Sequence, residues 1–273
     1  MRIALVPHIR REHSMGLARD LVIEARGHGV DVVAAADAAD ALEVNATRFE
    51  ADAGLDLVVA IGGDGTVLKA VRIGRGSGAP VFGINDGRLG FLAEGAPHDL
   101  PMIVKQLISG RWHTSDRMLL AASVEGGRAV MGLNDVVIEK VQNQRTVQLA
   151  VSIDDEPFIT YRADGVVVAT ATGSTAYNLS AGGPLIDPAL DMLVMTPVAP
   201  HSLFSRSLVF PPDRRLRFEV GEDRSVGVGV DGFDLGIVRP GGLIEVGGAG
   251  RVSFVSLSAR SFPATVKQKF SLP

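Results

Sequence analysis

Along the first 112 residues, short apolar runs alternate with stretches in which apolar positions recur every three or four residues. That alternation predicts strands and helices in turn, the signature of a parallel sheet wound with helices. Strands are expected at residues 2–6, 30–34, 57–61 and 80–84. Between the first two, Ser14 is read as a helix cap, Leu17, Leu21 and Ala25 as one apolar face, and Gly27 and Gly29 as its end. A further helical stripe runs through Leu100, Ile103, Val104, Leu107 and Ile108, with the look of core rather than chemistry.

From about residue 113 the chain changes to short β-rich runs with frequent Gly and Asp. Strands are expected at 118–124, 148–153, 165–170, 216–220, 225–230 and 251–257, which together predict a mostly antiparallel β domain. The expected division is an α/β domain over 1–112, a β-rich domain over 113–261, and a last segment, 262–273, packing back on the first domain.

Composition narrows the class. Of 273 residues 46% are apolar and 21% charged, ample for packed cores. The absence of cysteine excludes disulfides, thiolate metal sites and cysteine nucleophiles, and makes a reducing cytoplasm the expected compartment. No apolar stretch nears the roughly 20 residues of a membrane helix, so no membrane partner is expected. A net charge of −4 with no long Lys/Arg run argues against a nucleic-acid partner.

The chemistry concentrates behind the apolar run Leu57-Val58-Val59-Ala60-Ile61, in Gly62-Gly63-Asp64-Gly65-Thr66. Glycines allow successive N–H groups to converge on phosphate oxygens, and Asp64 places one carboxylate at the tip. Thr66 is read as the cap of the helix suggested by Val67, Leu68, Ala70 and Val71, which would add the positive end of a helix dipole. A plain strand-to-helix turn with a solvated Asp64 is the alternative.

Two other glycine motifs fail on context. Gly74-Arg75-Gly76-Ser77-Gly78-Ala79 follows a helix and leads into a strand, and Gly227-Val228-Gly229-Val230-Asp231-Gly232 lies in the β half, whereas a dinucleotide fingerprint follows a strand and opens a helix. Both are read as loop and strand glycines. There is no P-loop lysine motif, no metal-ligand spacing of histidines and no nucleophile elbow.

Three further stretches carry more polarity than a core needs. Gly83-Ile84-Asn85-Asp86-Gly87-Arg88 ends a strand with a polar lip. Leu133-Asn134-Asp135 precedes a buried strand. Asp164-Gly165 opens another that runs into Thr172-Gly173-Ser174-Thr175-Ala176-Tyr177-Asn178-Leu179-Ser180. With the Gly-Gly-Asp-Gly-Thr loop, the Asn-Asp pair, the Gly-Ser-Thr-Ala-Tyr segment and Thr196-Pro197-Val198-Ala199-Pro200-His201, the chain resembles the NAD kinase family over about residues 57–231. It departs from the family's commoner residues at Ala171, where Pro is usual, and at Phe233, where Gln often follows Asp-Gly; both bear on donor and acceptor preference.

The resemblance implies transfer of a terminal phosphate from ATP or polyphosphate to the 2′-hydroxyl of the adenosine ribose of NAD, giving NADP, in a homodimer or homotetramer. It implies Asp64 as general base or orienter of that hydroxyl, and Gly62, Gly63, Gly65, Thr66, Asn85 and Arg88 at the phosphate end. Magnesium is expected on the donor phosphates, with no protein ligand assigned. Asn134, Asp135, Asp164, Thr175, Ala176, Tyr177, Ser180 and Asp231 are implied around NAD. For Asp231 an ordinary Asp-Gly hairpin turn is the standing alternative. Lipid kinases and phosphofructokinases share the glycine loop, but the first lack Gly-Ser-Thr-Ala-Tyr and the second carry an Asp-x-Asp segment. A non-catalytic NAD sensor would have no need of Asp64.

Overall fold

In the computed structural model the chain divides into two compact units, Met1–Asp116 with Val252–Pro273, and Arg117–Arg251. The structure describes residues 1–46, 54–87, 90–142, 145–222, 224–258 and 261–273.

The first unit opens with β1 (Arg2–Pro7), α1 (Glu12–Gly27), β2 (Asp31–Ala34), α2 (Ala36–Leu42) and β3 (Asn45–Ala46). It continues with β4 (Leu57–Ile61), α3 (Asp64–Ser77), β5 (Val81–Ile84) and α4 (Leu100–Ile108). All strand pairs are parallel, in the order β5-β4-β1-β2-β3. Every residue of β4 and β5 is buried, as expected of strands covered on both faces. Leu17, Leu21 and Ala25 of α1 and Ile103, Val104 and Leu107 of α4 pack with Ile3, Leu5, Val59 and Phe82 into one core.

The second unit contains β6 (His113–Val124), β7 (Val130–Gly132), β8 (Asp135–Lys140), β9 (Val147–Ile153), β10 (Glu156–Ala163) and β11 (Gly165–Thr170). A single-turn helix follows, α5 (Tyr177–Ser180), then β12 (Leu193–Val198), β13 (Leu208–Phe210), β14 (Leu216–Val220), β15 (Val226–Val230), β16 (Phe233–Val238) and β17 (Leu243–Ser256). One sheet runs β10-β9-β14-β17, and the other runs β13-β12-β11-β8-β15-β16 with every pair antiparallel. Alternate side chains from both, among them Val136, Ile138, Leu149, Tyr161, Val166, Val168, Phe218 and Val228, form a second core. The last helix, α6 (Phe262–Phe270), belongs to the first unit.

The units exchange chain inside strands, within β6 after Asp116 and within β17 after Arg251. The sequence-based division at 112/113 and 261/262 therefore differs from the compact units. The strand expected at 251–257 is the end of β17, which runs through Gly247, Gly248 and Gly250 as one strand of 14 residues.

Two expected caps are corrected. α1 begins at Glu12 with Arg11 at the N-cap, so Ser14 lies inside the first turn, buried. α3 begins at Asp64 with Gly63 at the N-cap and no side-chain cap bond, so Thr66 is a buried first-turn residue. Gly74 and Gly76 prove to be helical, in α3, rather than loop glycines. No described helix is long and apolar enough to cross a membrane.

Candidate active site

The carboxyl end of β4 delivers the glycine turn. Gly62 has φ +155°, and a Cβ there would lie 2.4 Å from Thr66 Oγ1, so both backbone and space demand glycine. Its N–H donates to Ile84 O at 2.9 Å, fastening the turn to β5. α3 starts at once: Thr66 and Val67 N–H both donate to Gly63 O, at 2.8 and 3.3 Å. The N–H groups of Asp64 and Gly65 fall in the first turn, where no intrahelical acceptor exists, and the helix dipole adds its positive end there. An anion is the natural occupant.

Asp64 sits at that end, partly buried. Its Oδ2 accepts from Phe91 N–H at 3.2 Å and its Oδ1 from Leu92 N–H at 3.1 Å. Gly90 packs against the same carboxylate; a Cβ on it would stand 2.1 Å from Oδ1. Two backbone donors thus fix the orientation of the group while each oxygen keeps lone-pair capacity. Phe91 is in turn held by α6, its ring 6.2 Å from that of Phe270 and 5.4 Å from Lys269 Nζ.

Asn85 leaves the end of β5 buried, and its amide is spent locally: Oδ1 accepts from Gly87 N–H at 3.2 Å and Nδ2 donates to Gly87 O at 3.4 Å. It shapes the lip. Asp86 beside it accepts from Arg11 Nη1 and from the Ser14 hydroxyl. Arg88 lies outside the described residues.

In the second unit the structure brings most of the expected NAD residues together around the start of β8. Asp231 anchors backbone: its Oδ2 accepts from Leu133 N–H at 2.7 Å, and its Oδ1 from Asn134 and Asp135 N–H at 2.8 and 3.1 Å. It also forms the β15–β16 turn, with φ +49° followed by Gly232 at +73°. The hairpin alternative and a structural role coincide in one residue.

Asp135 is buried to 6% exposure, and its pKa is pushed up to about 6. Burial is the main cause and the Asp231 charge adds to it, against the Tyr177 backbone N–H that bonds the carboxylate. Asp164 pairs with Lys140 Nζ at 2.7 Å. Tyr177 is 37% exposed, and its phenol is raised by burial first and then by the charges of Glu139, Asp164 and Asp135. Asp164 lies opposite Lys140, at the far end of β8 from Asp135, and the Tyr177 phenol feels both charges.

Thr175 donates its hydroxyl to Thr172 O at 3.1 Å, Ala176 caps α5, and Ser180 ends it exposed. Beneath them lies a polar network that sequence reading missed as such. Asn178 Nδ2 donates to Ser174 O and Pro184 O, Thr196 Oγ1 donates to Asn178 Oδ1 at 2.7 Å, and Thr170 Oγ1 donates to Leu133 O at 2.6 Å. Buried and satisfied, these groups fix the segment's shape. The signal was present: a run dense in hydroxyls flanked by wholly apolar strands.

A family model described as the ATP-NAD kinase N-terminal domain matches residues 17–112, and the ATP-NAD kinase C-terminal domain matches 133–255. The chain belongs to the NAD kinase family, a family of phosphotransferases. Curated relatives named NAD kinase agree with this family assignment. That of Syntrophotalea carbinolica is 37% identical, covering 92% of this chain and 90% of its own. That of Chloroherpeton thalassium is 36% identical, covering 99% and 97%. Among solved structures, yeast NADH kinase complexed with NADH superposes with a TM-score of 0.90 at 24% identity, covering 99% of this chain and 87% of that one. An NAD kinase from Archaeoglobus fulgidus in complex with ATP gives 0.77 at 23%, covering 98% and 99%. Both share the fold of the NAD kinase family seen here, an α/β domain joined to a mostly antiparallel β domain.

Proposed function

We propose that this member of the family transfers the terminal phosphoryl group of ATP, or of inorganic polyphosphate, to the 2′-hydroxyl of the adenosine ribose of NAD, giving NADP. The observation that carries the reading is Asp64, an oriented carboxylate on the first turn of α3 beside N–H groups that have no intrahelical acceptor. Phosphoryl transfer passes through a loose transition state, so positioning and charge neutralisation dominate and the base acts late. The first-turn N–H groups from Asp64 and Gly65 receive phosphate oxygens, while Asp64 orients the ribose hydroxyl and takes its proton. Asn134 offers an amide donor and acceptor to the adenine edge or ribose, and Asp135, Asp164 and the Tyr177 phenol accept from ribose hydroxyls and the adenine amine. Thr175, Ala176 and Ser180 supply the remaining edge of that pocket, and Asp231 holds the backbone of Asn134 and Asp135.

Among the described residues no three His, Cys, Asp or Glu side chains cluster as a metal cage. Magnesium would be carried on the donor phosphates, which the first-turn N–H groups of Asp64 and Gly65 would hold. When bound, it neutralises phosphate charge. A homodimer or homotetramer acting in the cytoplasm, without nucleic-acid or membrane partners, completes the proposal. The ATP and NADH in the two solved structures, proteins alike in fold, are the ligand classes this reading expects.

The test is NADP formation from NAD with ATP and magnesium, read through an NADP-specific dehydrogenase, beside a tube in which polyphosphate replaces ATP. Turnover in either names the donor. Asp64→Asn should abolish turnover and keep NAD binding by calorimetry. An unchanged rate would remove Asp64 from the mechanism, and silence of the wild type in both tubes would sink the reaction.

A further inference from the structure

The start of α1 goes against what a helix start favours. Arg10 and Arg11 stand at the positive end of the helix dipole, and Arg11 takes the N-cap position without making a cap bond. Instead of capping the helix, Arg11 turns its guanidinium toward the end of β5. Arg11 Nη1 donates to both oxygens of Asp86, at 3.0 and 3.1 Å, and the Ser14 hydroxyl donates to the same carboxylate. The Asp86 side chain is 3% exposed, whereas that of Arg11 is 55% exposed. Burial alone would raise the Asp86 pKa, but Ser14 and Arg11 outweigh it and keep the carboxyl below its ordinary range. The buried carboxylate is fixed, and the guanidinium hangs from it by one nitrogen.

Strand order decides where this pair lies. Arg11 follows β1, Asp86 follows β5, and β4 runs between them. His8 N–H donates to Ile61 O and Gly62 N–H to Ile84 O, so the three strands stay tied up to the glycine turn. The ion pair therefore bridges over the exit of β4, where Gly62, Gly63 and Asp64 emerge. β2 lies on one side of β1 and β4 on the other, so the order reverses here, and open α/β sheets take ligands outside the carboxyl ends of strands at such a reversal. His8 Nδ1, at the same strand end, is buried and has no partner among the described residues.

We propose that Arg11, oriented by Asp86 and Ser14, is a ligand for the phosphate chain of the donor. Its Nε and Nη2 have no partner among the described residues and are the groups that meet the anion. This rests on the donor site proposed above and goes beyond it by placing a cation there. Both a nucleoside triphosphate and inorganic polyphosphate share the recognised chemistry, and Asp86 acts as a positioning residue.

The test is calorimetric binding of inorganic tripolyphosphate with magnesium to the wild type and to Arg11→Ala, with KM for ATP and for NAD measured on both. The expected result is a loss of tripolyphosphate affinity and a rise in KM for ATP of about tenfold or more, with KM for NAD unchanged. Arg11→Lys keeps the charge and the Asp86 pair but loses the planar fork, and should give a smaller rise in the same constant. It serves in place of the alanine variant should that one fail to fold. Asp86→Asn should shift KM for ATP in the same direction. Tripolyphosphate affinity and KM for ATP within twofold of wild type in the folded variants would overturn the proposal and leave Arg11–Asp86 as a structural tie. Substituting ATP for tripolyphosphate in the same titration distinguishes the two donors. A wild type that binds tripolyphosphate but makes no NADP would count against the reaction, not against Arg11.

Discussion

Replacing Asp135 by Asn should stabilise the protein above neutral pH while weakening NAD binding. The carboxyl is buried and its pKa stands at about 6 against an ordinary 3.8. At about 1.4 kcal/mol per pH unit, that gap makes ionised Asp135 up to about 3 kcal/mol less favourable in the folded than in the unfolded chain. The sign follows from proton counting. Between pH 4 and 6 the folded form holds the proton more tightly, so stability is full below about 4 and is lost as pH rises through 6. Asn is neutral at every pH and keeps an oxygen to accept the Tyr177 N–H. The difference between variant and wild type should therefore move in the variant's favour from pH 4 to pH 8, by several degrees at roughly 2–4 °C per kcal/mol. Scanning calorimetry at the two pH values reads it, with NAD titrated into both proteins at pH 8. A melting-temperature difference equal at pH 4 and pH 8 would refute the reasoning, since it would mean that burial and Asp231 do not bias the group toward its neutral form.

Gly90→Ala forces the loop away from Asp64 and should lower kcat on the order of a hundredfold, with NAD affinity by calorimetry unchanged. Asp231→Ala strips three N–H groups of their acceptor and should cost about 2–4 kcal/mol of stability, read by thermal unfolding, with Asp231→Asn costing clearly less. Phe270→Ala removes only an exposed ring contact with Phe91 and should cost about 1 kcal/mol, so a larger loss in the same assay would show that α6 does more than tether that ring.

Strands buried on both faces are plain in the sequence, because Leu57–Ile61 and Val166–Ala169 are unbroken apolar runs. Others were masked by their own residues. β10 begins with exposed Glu156, Pro157 and Phe158 at an irregular register, and β12 carries Pro197. α2 is a short stretch of Ala and Asp with little periodicity to betray it. At the site, the glycine turn could be read locally because its chemistry lies within five consecutive residues. The bonds of Asp231 to residues 133–135 span 96 to 98 positions, and that of Ser14 to Asp86 spans 72. A capping serine and an anchoring serine look alike until the fold brings the partner in, so the sequence alone assigns Ser14 the wrong task.

The first unit is assembled from the two ends of the chain, and this sets a timetable for its synthesis. Its core includes Val255 and leans on Leu257, and Val81 of β5 pairs with Phe254. At about 5–20 residues per second, the ribosome takes roughly ten to thirty seconds to travel from β5 to those residues. Throughout that interval the nascent domain has an apolar flank and an incomplete strand edge, the surfaces on which chaperones act and from which premature association starts. The second unit, continuous from Arg117 to Arg251, can close while the first still waits. The element that bears Asp64 is thus among the earliest made, and the residues that steady it through Phe91 are among the latest.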